Sequence, residues 1–72
     1  MKEVEISGAY IQLDQFLKKE NIISSGGETG VFLKNHKVLL NGIIVHEKRK
    51  KIHFGDELFL DGEVYRMIEE KK

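Results

Sequence analysis

Apolar positions along the chain change their period near residue 38. Leu13, Phe16 and Leu17 fall at i, i+3 and i+4, with Gln12, Gln15, Lys18 and Lys19 on the other faces, which predicts a helix over 12–20. Asn21 stands at its end, and Ile22 and Ile23 bring the chain back. Ser25-Gly26-Gly27-Glu28 fits a capping box, in which Ser25 accepts from the N3 amide and Glu28 from the Ser25 amide. A second helix therefore starts there, buries Phe32 and Leu33, and stops by Asn35 or His36. So few residues separate the two helices that they form a helix–turn–helix corner. Gly30 lies inside the second helix at a cost of about 1 kcal/mol against Ala, a position suited to close approach of a neighbour.

Beyond residue 37 the period drops to two. Val38-Leu39-Leu40 and Ile43-Ile44-Val45 flank Asn41-Gly42, the favoured two-residue hairpin turn. Leu40 then faces Ile43 and Val38 faces Val45 on one side of the sheet, with Leu39 and Ile44 on the other. A second hairpin runs through Leu58-Phe59-Leu60, Asp61-Gly62 and residues 64–68, setting Glu57 opposite Arg66 as an ion pair. Before the first helix there is only a short alternation at Val4 and Ile6, then a Ser7-Gly8-Ala9 loop. Phe16, Phe32 and Phe59 fall at core-facing positions, leaving Tyr10 and Tyr65 as the exposed aromatics. The predicted fold is α+β, with two short helices packed on one side of a small, mostly antiparallel sheet, in a single domain over 1–72.

Composition narrows the function classes. A chain of 72 residues buries only about 60% of its unfolded surface, yet a third of these residues are Val, Ile, Leu or Phe, too many for intrinsic disorder. The absence of cysteine removes disulfides, thiolate metal sites and a Cys nucleophile. There is no apolar run near the ~18 residues of a membrane span and no signal peptide, so a soluble cytoplasmic protein is expected. Met1 and the charged Glu69–Lys72 tail suit a complete protein. HExxH, G-x-S-x-G and a complete Walker A are all missing, and His46 and His53 are too few for zinc. We expect no catalytic residue, no metal and no cofactor.

Formal charge sums to zero but is unevenly spread. Residues 33–53 carry Lys34, Lys37, Lys48, Arg49, Lys50 and Lys51 against Glu47 alone, a net +5, while the flanking stretches carry −2 and −3. A localised basic patch in a neutral protein points to a polyanion site. Gly26 and Gly27 add backbone amides at a helix start that a phosphate can approach closely. If these stretches converge on one face, that face suits RNA, with Gln12, Gln15, Ser25 and Asn41 as polar partners beside the six cations.

Five motifs occur in order: Ile11-Gln12-Leu13-Asp14-Gln15-Phe16-Leu17-Lys18, Ser25-Gly26-Gly27-Glu28, Val38-Leu39-Leu40-Asn41-Gly42, Lys50-Lys51-Ile52 and Gly55-Asp56. Over residues 11–62 this resembles the RNA-binding domain of small-subunit ribosomal protein S-four, the α-L motif. More narrowly, it is similar to small stand-alone bacterial proteins of the YaaA/YbcJ type. The resemblance implies two helices on a bent antiparallel sheet that bind structured RNA, often ribosomal, through the second helix, the Asn-Gly hairpin and the basic loop. Gln12 and Gly26 stand where the family often has Arg, Thr29-Gly30 replaces Ala-Lys, His36 replaces a Gly, and Arg49 replaces the loop's Gly. Fewer phosphate-contacting cations result. The alternative is a protein-interaction adaptor or homodimer that uses Leu39 and Ile44 and leaves the basic loop idle.

Overall fold

The computed structural model describes residues 1–70, so the Lys71–Lys72 end of the charged tail lies outside the described residues. Strands β1 (Lys2–Ile6) and β2 (Tyr10–Gln12) precede helix α1 (Leu13–Lys19). A single 3-10 turn (Gly26–Glu28) leads into helix α2 (Thr29–Asn35). Then follow β3 (Val38–Leu40), β4 (Ile43–Ile44), β5 (Lys51–His53), β6 (Glu57–Leu60) and β7 (Glu63–Glu69). The α+β expectation holds. Five strands form one sheet in the order β1-β7-β6-β3-β4, and β2 pairs with β5 in a separate ribbon.

The α1 stripe is wholly inside, with Leu13, Phe16 and Leu17 all buried. Phe16 meets Tyr65 of β7 edge-on, with 5.1 Å between ring centroids, which docks α1 on the sheet. Asn21 ends the helix in the left-handed region at φ 59°, while the Ile22 amide donates to the Leu17 carbonyl and the Asn21 amide to that of Lys18. This is a Schellman closure with Asn in the usual glycine place. The second helix starts as expected, with the Ser25 amide donating to the Glu28 carboxylate at 2.8 Å.

Both hairpins have the expected register. Leu40 pairs with Ile43, the Val45 amide donates to the Val38 carbonyl, and Glu57 pairs with Arg66 and bonds its guanidinium. Asn41 and Asp61 take positive φ ahead of Gly42 and Gly62, as primed hairpin turns require. The β2–β5 ribbon and the exposure of Phe54 were not expected, and three further points differ from the sequence reading. The Val4 and Ile6 alternation is a full strand, and it pairs parallel to β7, so the sheet is mixed. Tyr65 is buried, because its register opposite Leu58 points it at the helices. Phe59 is not core-facing: with Leu58 and Leu60 inward, it must point to the outer face, where it is half-buried.

Asn41 does more than turn the chain. Its side-chain oxygen accepts the Glu57 amide at 3.0 Å, and its amide group donates at 3.0 Å to Asp56, whose other oxygen accepts the His53 amide. The Asn-Gly and Gly-Asp motifs thus clasp the first hairpin to the β5–β6 turn. Asn41→Ala loses two hydrogen bonds and strains the left-handed position, for a loss of about 2–4 kcal/mol. Thermal unfolding should fall by about 10 °C or more. Asn41→Gly, which keeps the backbone at ease, should fall by less; equal losses would show that the side chain contributes nothing.

Candidate nucleic-acid interface

The cationic loop runs from Val45 to Lys50 and is anchored at both ends. It leaves the sheet where Val45 bonds Val38, beside Lys37, and ends where the Leu13 amide donates to the Lys50 carbonyl at 2.9 Å. That bond satisfies one of the amides α1 leaves open at its start. The ribbon continues the contact, pairing Gln12 with Lys51, Ile11 with Ile52 and Tyr10 with His53. Because strand side chains alternate, Ile52 is buried and Lys51 and His53 are exposed.

Between these anchors the loop lies across both helix starts. The Lys48 side chain runs over Gly30, where a Cβ atom would stand 2.9 Å from Lys48 Cε and 3.4 Å from Nζ. Gly30 therefore is the close approach its place in the helix suggests. Lys34 follows one turn further along α2 and is exposed. Arg49 Nε is 4.0 Å from Asp14 Oδ2 at the start of α1, and a Cβ on Gly26 would lie 3.7 Å from the same oxygen. Asp14, which was not among the expected site residues, is thus the junction of α1, the Ser-Gly-Gly turn and the loop. Lys50 lines a groove of about 360 Å³ with Leu40, Asn41 and Ile43. At the second hairpin turn the Lys37 amide donates to the Asp61 carboxylate and the Asp61 amide to the Lys37 carbonyl, both at 3.4 Å.

The polar candidates divide. Gln15 is exposed, with its carbonyl oxygen accepting the Gln12 amide at 3.4 Å, and half-buried Gln12 caps α1. Ser25 and Gly27 are exposed and Gly26 is partly so, but the Glu28 carboxylate occupies the Ser24 and Ser25 amides. The expected opening for a phosphate thus narrows to the glycine amides, with a carboxylate next to them. Asn41 has both side-chain groups engaged in the clasp to Asp56 and Glu57, so it departs furthest from a free ligand contact. Among the described residues, no three His, Cys, Asp or Glu side chains gather to hold a metal, and no helix is long and apolar enough to cross a membrane.

Residues 4–68 match the S4 domain. The chain belongs to the S4 domain family. The resemblance carried by the five ordered motifs is borne out, and with it the assignment as an S4 RNA-binding domain. A Bacillus subtilis (strain 168) protein named "Probable ribosome maturation protein RlbA" is similar, with 36% identity over 59 residues, 82% of this chain and 83% of its own.

In this S4 domain Gly30 exchanges helix stability for the seat of Lys48. Gly30→Ala adds about 1 kcal/mol of helix propensity, and the atom it meets is the movable end of a lysine. Thermal unfolding should therefore rise by about 4–8 °C while Lys48 is displaced. A fall in the unfolding temperature would mean that the lysine stem is rigidly packed there.

Proposed function

We propose that this S4 domain is a non-catalytic module that binds structured RNA, ribosomal RNA foremost, by phosphate and shape contacts, and does so in the cytoplasm. The observation that carries the reading is the Lys48 stem lying on Gly30 while Lys50 closes the start of α1, since this brings a cationic loop onto two helix starts. Lys34, Lys37, Lys48, Arg49, Lys50 and Lys51 supply charge, and Gln12, Gln15, Ser25, Gly26 and Gly27 supply polar groups around them. Asn41 belongs to this face as the residue that fixes the hairpin beside it. The ribosome maturation role named for the Bacillus subtilis relative supports ribosomal RNA as the target.

Phosphate contacts of this kind release counterions. With about four to six phosphates neutralised, log K should fall against log salt with a slope of about −0.7 to −0.9 per contact. Titration of a structured ribosomal RNA fragment at several salt concentrations measures it; an affinity indifferent to salt contradicts the reading. Changing Lys48, Arg49, Lys50 and Lys51 together to Glu should abolish that binding.

Asp14 tempers the site, because its carboxylate competes with phosphate for Arg49. Asp14→Asn should tighten RNA binding about 2- to 5-fold, the effect of one charge at short range near water. Weaker binding would instead make Asp14 a residue that holds Arg49 in place for RNA.

A second reading, a protein contact or homodimer, is favoured by one observation. On the helix-free face Ile44, Leu39, Phe59 and Val64 pair directly across four strands as an unbroken apolar row, and Ile44 is exposed. Such a contact would survive the loop reversal and fail with Leu39→Lys.

A further inference from the structure

The cations account for phosphates, but they leave the exposed aromatics without a role. Phe16 and Tyr65 are buried, and Phe32 and Phe59 are half-buried. Tyr10, 40% exposed, and Phe54, 45% exposed, are the Phe and Tyr rings that face solvent among the described residues. Tyr10 opens β2, and Phe54 follows β5, the strand that pairs with β2 and begins at Lys51. A ribbon that holds its apolar side chains Ile11 and Ile52 toward the core therefore presents aromatic rings and cations on its outer side.

The geometry around Tyr10 is specific. Its cross-strand partner His53 has its ring centroid 5.7 Å away, tilted by 50°. Lys51 Nζ stands 4.9 Å from the Tyr10 ring centroid, over the ring. Next to Tyr10 lies a groove of about 480 Å³ whose lining includes Ser7, Gln15 and Lys18. Gln15 uses its carbonyl oxygen on the Gln12 amide, which leaves its amide hydrogens for a ligand.

We infer that the Tyr10–His53–Lys51 corner takes an unpaired nucleobase of the bound RNA. The base stacks on the Tyr10 ring, its edge turns toward Ser7 and Gln15, and Lys51 moves from the ring to the adjoining phosphate. This rests on the RNA reading above and deepens it, because phosphate contacts alone carry no preference for unpaired bases. The exchange is favourable in magnitude. A cation over an exposed ring contributes about two- to fivefold in an equilibrium, whereas a base stacked on an aromatic side chain contributes about fivefold to more than a hundredfold. Bases inside an A-form helix are already stacked on one another, so the site selects a bulge or loop.

Two probes test this: a fully paired RNA duplex, and the same duplex with one bulged 2-aminopurine. The protein should bind the bulged duplex about tenfold more tightly and quench the 2-aminopurine fluorescence on binding. Tyr10→Ala should abolish both the preference and the quenching, and Tyr10→Phe should restore them, since stacking needs the ring and not the hydroxyl. Equal binding of the two RNAs by the unaltered protein, without quenching, overturns the stacking site and leaves the phosphate reading standing. Binding of neither RNA overturns both. Preference and quenching that persist in Tyr10→Ala place the base elsewhere and overturn the assignment.

Discussion

One backbone hydrogen bond, from the Leu13 amide to the Lys50 carbonyl, decides where the cationic loop lies. Without it, residues 46–50 would be an ordinary solvated connection between two strands. With it, the loop becomes part of the α1 cap, and the short ribbon of Gln12 with Lys51 and Ile11 with Ile52 holds it there. Close to that anchorage lie the Lys48 stem over Gly30, Arg49 beside Asp14, and Lys51 over Tyr10.

Six cations in one stretch repel one another, and here carboxylates are interleaved with them. Asp14 faces Arg49, Glu28 holds the amides before the second helix, and Asp61 holds the Lys37 backbone. These anions lower the repulsion that a bare cationic surface would carry. On the proposed reading, a ligand at this face competes with the carboxylates already there.

Much of this fold was legible in the residues. A 3.6-residue spacing at Leu13, Phe16 and Leu17 gave α1, and Asn-Gly and Asp-Gly between β-branched runs gave both hairpins with the Glu57–Arg66 pair. The hairpin register also set Tyr65 with Leu58 and Phe59 on the opposite face, but both faces are apolar, so which of them the helices cover depended on tertiary structure. What local pattern could not provide was pairing across long stretches of chain. Nothing near Val4 specifies a parallel partner at Met67, and three residues around Ile11 do not announce Ile52. For the candidate site, charge located the cations and Gly30 marked a close approach. The identity of the neighbour, the intervention of Asp14, and the engagement of Asn41 by Asp56 depend on tertiary structure alone.

The central claim is that the loop and both helix starts act as one RNA-binding face. Its most direct test is a titration of nitrogen-15-labelled protein with a structured ribosomal RNA fragment, followed by amide chemical shifts residue by residue. The account predicts that the largest shifts fall together on Leu13, Gly26, Gly27, Gly30 and residues 48–51 and saturate at the same RNA concentration. Shifts concentrated on Leu39, Ile44, Phe59 and Val64, with the loop unmoved, would contradict it.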